Sequence, residues 1–138
     1  MDESAIVKYI SETFEGVEVT TASGDHYFFY DPEKMFPFAT LVTGDRHDQV
    51  SNLDRDGVFR LNIGVSKQTF QSLFPSPDTE HDFAAFDRIM PHPVYGKMYW
   101  LCVLNPSAET FEAVRQLLAE AYEMSVQKQA KKRPADGA

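Results

Sequence analysis

The chain has 138 residues, 43% of them hydrophobic, with 18 aromatic side chains, which suits one globular domain with a sizeable core and excludes a disordered polymer. The net charge of −8 understates the acidity of the body: up to Ser125 there are 20 acids against 9 bases, about −11, while Lys128, Lys131, Lys132 and Arg133 crowd into the tail. Generic nucleic-acid binding, which depends on neutralising phosphate with Lys and Arg, is disfavoured, and the lone Cys102 rules out an intramolecular disulfide and a cysteine-based zinc site.

In chain order, Ile6, Ile10 and Phe14 fall four apart from Asp2 onward and predict an amphipathic helix, stopped by Glu15-Gly16. Val17, Val19 and Thr21 alternate through a first strand, the turn Ser23-Gly24-Asp25 folds it back, and His26 to Asp31 (H-Y-F-F-Y-D) is an aromatic second strand ended by Pro32. Phe36 to Thr43 is the third strand. Gly44 to Gly57 is polar, has no period, and reads as a long loop of the kind that is functional or mobile.

Gly57 to Ser66 (G-V-F-R-L-N-I-G-V-S) is the predicted central strand: Phe59, Leu61, Ile63 and Val65 share one face, Arg60 and Asn62 the other. Ser66 stands where an N-cap belongs, so a short helix through Phe70 and Phe74 follows at once. Pro75 to Asp82 is a second loop. Phe83, Phe86 and Ile89 predict one or two helical turns closed by Pro91, and P-H-P-V-Y-G-K forms an ordered turn into the apolar strand Met98 to Leu104, buried on both sides. Asn105-Pro106-Ser107 punctuates the start of a long helix, with Phe111, Val114, Leu118, Ala121 and Tyr122 at helical spacing. The order is thus α-β-β-β-β-α-(short α)-β-α if the hairpin's two strands, the 36–43 strand and the central strand are counted. Hairpin-length connections make it an α+β antiparallel sheet with helices packed on one face, a two-layer sandwich over residues 1–127 with a basic tail, 128–138, expected to fray.

The strings F-P-F-A-T-L-V, V-F-R-L-N-I-G-V, H-P-V-Y-G-K-M and V-L-N-P-S-A-E-T-F resemble a family of uncharacterised single-domain bacterial proteins, common in actinobacteria, over nearly the whole chain. More distantly, Ser66 to Phe74, Pro91 to Gly96, Trp100 and Ser107 to Tyr122 are similar in placement to the MmcQ/YjbR-like proteins. That likeness implies a CyaY-like α+β fold and brings in the DNA binding proposed for such proteins, which the acidity here opposes. The long 44–57 loop departs from the pattern. CyaY-type proteins are associated with iron through acidic residues of the first helix and strand, where this chain has Asp2, Glu3, Glu12, Glu15 and Glu18.

For chemistry, His92 is the candidate acid-base residue, held between two prolines, with a ring that bonds a backbone group as the plainer reading. The four histidines show no H-x-H or H-x-x-x-H spacing, so no metal and no cofactor is assigned. Leu53 to Gly57 lacks the terminal Glu of a calcium loop and reads as a turn with a local Asp to Arg pair; Ser66 and Ser107 read as caps, Cys102 as an inert core thiol. Because helices cover one face only, Arg60, Asn62, Tyr99 and His92 are expected on an open opposite face. There Arg60 would take an anionic small molecule, or a second copy of the chain would cover the surface. The function expected is a non-catalytic ligand- or protein-binding domain, with a small-metabolite enzyme using His92 as general base as the alternative and nucleic-acid binding as a third reading. No membrane-spanning run and no signal-peptide pattern is present, and the expected compartment is the cytoplasm.

Overall fold

In a computed structural model that describes residues 1–132, the chain forms one six-stranded sheet in the order β1-β2-β3-β4-β6-β5, with every neighbouring pair antiparallel. The strands are β1 (Glu18–Ala22), β2 (Asp25–Phe29), β3 (Ala39–Val42), β4 (Arg60–Gly64), β5 (Met90–Pro91) and β6 (Trp100–Leu104). The helices are α1 (Glu3–Thr13), α2 (Lys67–Leu73) and α3 (Ala108–Lys131).

Local chemistry sets the ends of these elements. Asp2 Oδ1 accepts the Ala5 N–H at 2.8 Å, and Ser66 and Ser107 accept from Thr69 and Thr110 at 3.1 Å each, so all three helices start on a side-chain cap. Ser23 and Gly24 both take positive φ, 54° and 85°, the two-residue turn whose twist matches a tight hairpin between β1 and β2. Asn105 does not cap α3. Its Oδ1 accepts from the Phe59 N–H and its Nδ2 donates to the Gly57 carbonyl, which pins the entry of β4 to the exit of β6.

The alternation in β4 places Leu61 and Ile63 opposite Val103 and Leu101 of β6, and this face packs on Ile6 and Ile10 of α1 and on Val114 and Leu118 of α3. All the helices lie on that side. The other face is not open. Leu53 from the 44–57 connection and Val58 just after it, with Phe83 beyond α2, fold across it and close a second small core on Val42, Met90, Cys102 and Leu104. β6 is therefore buried on both sides, one by helices and the other by loops.

One expectation is corrected. Residues 83–89 form turns, not helical turns, because the Asp87 N–H bonds to the Leu104 carbonyl and the segment continues into β5, an extra edge strand beside β6. The long helix α3 runs to Lys131, into the 128–138 segment expected to fray; residues 133–138 lie outside the described residues. No helix of the described residues is long and apolar enough to cross a membrane.

Candidate functional site

Arg60 sits on the loop-covered face of β4 between Val42 of β3 and Leu104 of β6, and it is 1% exposed. Its Nη1 donates to Asp48 Oδ1 at 3.1 Å and to Ser51 Oγ at 2.9 Å, Nη2 donates to Asp48 Oδ2 at 2.8 Å, and Nε donates to Asn62 Oδ1 at 3.0 Å. Asn62 Nδ2 passes the chain on to Thr40 Oγ1 at 3.0 Å. The Asp48 fork is the bidentate carboxylate geometry an external anion would need, so the 44–57 loop supplies the anion from within. The Arg60 hydrogen bond holds the Asp48 carboxyl below the usual carboxylate range. The expectation that Arg60 and Asn62 look out of an open face is thus corrected: both are buried, and their polar groups are spent on the protein.

His92 lies in the field of this pair, 6% exposed, and its Nδ1 accepts from the Val94 and Tyr95 N–H groups at 3.0 Å each. Burial first, then the Arg60 charge, lowers its pKa to about 4. The ring is neutral at pH 7. With Nδ1 accepting, Nε2 carries the proton, so no lone pair remains to abstract one from a substrate. Cys102, next to Asn62 in the register, has its thiol pushed up to about 12 by burial. Tyr99 is not part of this group: it takes a left-handed conformation (φ 66°) and packs its ring 5.7 Å from Phe70 of α2, on the helix side.

A second buried carboxylate ties down the start of the same loop. Asp25, 1% exposed, accepts from the Thr43 N–H, from Arg46 Nη2 at 2.8 Å and from the His47 ring at 3.0 Å. Farther along, Arg55 donates to the carbonyls of Ser51, Asn52 and Ala84 instead of pairing with a neighbouring Asp, which ties the loop to the 75–89 segment. A fourteen-residue stretch without secondary structure is held by side chains at both ends and in the middle.

An aromatic-lined concave surface lies away from Arg60, at the end of the sheet where β3 and β6 begin and β4 ends. A cleft of about 320 Å³ opens there between the 31–38 connection, the last turns of α3 and Trp100. Its walls include Phe36, Phe38, Met98, Trp100 and Met124, and two of these are left largely in water, Phe36 at 57% and Met98 at 67% exposure. Trp100 is fixed by the bare backbone of its cross-strand partner Gly64, where a Cβ would stand 2.9 Å from the indole. Charged groups of both signs share the cleft. Asp31 Oδ2 accepts the Met35 N–H at 3.0 Å, while Oδ1 is buried with no donor among the described residues. Lys128 Nζ rests 4.6 Å from the centre of the Phe36 ring, and Lys132 lies beyond it on the same wall. Among the described residues neither lysine has a carboxylate partner.

A protein-family model matches residues 1–134. The chain belongs to DUF6194, a family of unknown function. The resemblance to an uncharacterised family is thereby established over almost the whole sequence. A comparison with curated proteins returned no match.

Of the residues singled out in this DUF6194 sequence, the fold brings Arg60, Asn62 and His92 together and leaves Tyr99 out. Asp2 caps α1, Glu3 pairs with His26 at 2.7 Å and Glu18 with Lys34 at 3.0 Å, so three of the acids near the first helix and strand have protein partners. No cluster of three or more His, Cys, Asp or Glu side chains able to hold a metal ion occurs among the described residues. Sequence reasoning missed the cleft. Two signals were available, Asp31-Pro32 followed by the unpatterned apolar pair Met35-Phe36 and the lysine-rich end of the last helix.

Proposed function

We propose that this DUF6194 chain is a non-catalytic binding domain that takes a small amphipathic ligand in the cleft at the end of its sheet. The observation that carries the reading is the contrast between the two polar centres. At Arg60 the donors are used internally behind a packed loop, whereas the cleft is lined by Lys128 and Lys132, which have no carboxylate partner among the described residues, beside the exposed Phe36, Met98 and Met124. A volume of about 320 Å³ falls at the small end of ligand pockets, which run from about 300 to 1,000 Å³, and suits a compact molecule rather than a dinucleotide. Flexible methionines adapt to an apolar body, and the lysines favour an anionic group. The likeness to MmcQ/YjbR-like proteins adds an architecture to this reading but no chemistry.

Trp100 is the sole tryptophan and lines the cleft, so the test needs no label. The probe is 8-anilinonaphthalene-1-sulfonate, an aromatic body with one anionic group. The reading predicts saturable quenching of Trp100 emission at one probe per chain, weakened by Met124→Glu and unaffected by Val50→Glu on the far loop. Non-saturating fluorescence, or equal loss in both variants, counts against it.

A further inference from the structure

We infer that the chain pairs with a second copy of itself through β1, joining two sheets edge to edge about a two-fold axis at Thr20. The sheet face expected to take a second copy is covered by loops, and what stays open is one edge. The two edges are not alike. β5 is two residues long and ends in Pro91, which has no N–H to give, so that edge is blunted. β1 has five residues in unbroken register with β2, no proline and no lysine, and it leaves Glu18, Thr20, Thr21 and Ala22 exposed. Among the described residues no backbone group outside β2 bonds to those of Glu18–Ala22.

Which groups look outward follows from the register. Ser23 and Gly24 make a two-residue turn, so Ala22 and Asp25 flank it as the closing hydrogen-bonded pair. Alternation then makes Thr21–His26 and Val19–Phe28 the non-bonded pairs. The Phe28 carbonyl agrees, since it accepts from the Phe38 N–H on the β3 side at 3.0 Å. The N–H and C=O groups of Val19 and Thr21 therefore point away from the sheet. A second copy fits because this edge is complementary to itself. With Thr20 on the axis, Val19 of each copy lies opposite Thr21 of the other, the two residues with free backbone groups, and each such pair exchanges both of its N–H···O bonds. Thr20 of one copy meets Thr20 of the other as a close non-bonded pair, a favourable cross-strand match. Glu18 falls opposite Ala22, so no like charges meet, and Lys34 lies 3.0 Å from the Glu18 carboxylate within the same chain.

The experiment is amide hydrogen exchange of the full chain by NMR at about 50 µM and about 1 mM, with sedimentation velocity over the same range, which spans the weak association of an interface this small. The expected result is a dimer that grows with concentration, the Val19 and Thr21 amides slowing about threefold or more while the Thr20 amide, already bonded to β2, changes less. Thr20→Lys sets two like charges face to face on an exposed site and is expected to keep the chain monomeric, as is Thr20→Glu; mixing the two variants restores the dimer. Thr20→Cys brings two Cα atoms to about 4.5 Å, within disulfide reach, and should cross-link on mild oxidation, while Val50→Cys on the exposed loop does not. A chain that stays monomeric at the higher concentration, with Val19 and Thr21 exchanging as fast as at the lower, overturns the pairing. So does a dimer that Thr20→Lys leaves intact, because its contact then lies on another surface.

Discussion

Replacing Arg60 by Ala removes the centre of a buried polar chain, and the cost can be worked from its partners. The substitution strands the Asp48 carboxylate, whose side chain is 11% exposed, and takes a donor from the fully buried Ser51 and from Asn62. Removing one partner of a buried ion pair costs about 3–5 kcal/mol. Unfolding entropy of about 2 cal/mol/K per residue gives a 138-residue chain a slope near 0.3 kcal/mol per degree, so the midpoint should fall by about 10–17 °C. Differential scanning calorimetry at pH 7 reads this directly. The double variant Arg60→Met, Asp48→Leu removes both charges and should recover at least half the loss, since the unpaired charge, not the missing pair, carries most of the penalty. Because Asp48 is depressed in the fold, its contribution is complete above the unfolded carboxylate range near pH 4 and is lost as pH falls through the lower folded value. A drop below about 3 °C for Arg60→Ala, within the range of a surface change, refutes the internal role of this arginine.

His92 gives a separate pH signature. Its pKa is about 4 in the fold against 6.5 unperturbed, so above about pH 6.5 it contributes nothing to the pH dependence of stability. Between 6.5 and about 4 the unfolded chain takes up a proton that the native ring refuses, and stability should fall by up to ~3 kcal/mol as pH drops through that window. Urea melts at pH 7 and 4.5 measure the fall, and His92→Gln, which can still accept from the turn N–H groups, should flatten it. Cys102, pushed up to about 12, should react with dithiobis-nitrobenzoate at pH 8 only after denaturation; rapid reaction of the native protein contradicts the sealed second core. Gly64→Ala places a Cβ against the Trp100 indole and should cost about 1–3 kcal/mol while shifting the tryptophan emission; unchanged emission means the ring is not seated as described.

Much of the sheet was legible because its signals are local. Alternation in β4, the serine caps before α2 and α3, and the Ser23-Gly24 turn each follow from a few neighbouring residues, and the structure has them where the pattern puts them. What escaped was the covering of the far face. The 44–57 loop has no period, so its fold depends on pairings across 21 residues to Asp25 and 12 to Arg60, and a charged loop that docks by such contacts looks the same in sequence as one that floats. Arg60 shows the consequence. The period of two correctly sets it opposite Leu61, but periodicity says which face a side chain takes and not what lies over that face. The cleft was invisible for a related reason: its walls come from the 31–38 connection, β6 and the last turns of α3, and no stretch of sequence holds them side by side. The helical turns expected around Phe83 failed because three apolar residues at helical spacing fit equally well a segment that lays Phe83 on the second core.

Function in the cleft and structure at Arg60 are separated by the amide and indole chemical shifts of ¹⁵N-labelled protein in one titration with 8-anilinonaphthalene-1-sulfonate. The predicted result is saturating shifts confined to the Trp100 indole N–H and the amides of Asp31, Phe36, Gly64 and Lys128, with Asp48, Ser51, Arg60 and Asn62 unmoved. Shifts centred on Asp48, Arg60 and Asn62, with Trp100 silent, would show that the 44–57 loop opens to admit the ligand and would contradict the assignment.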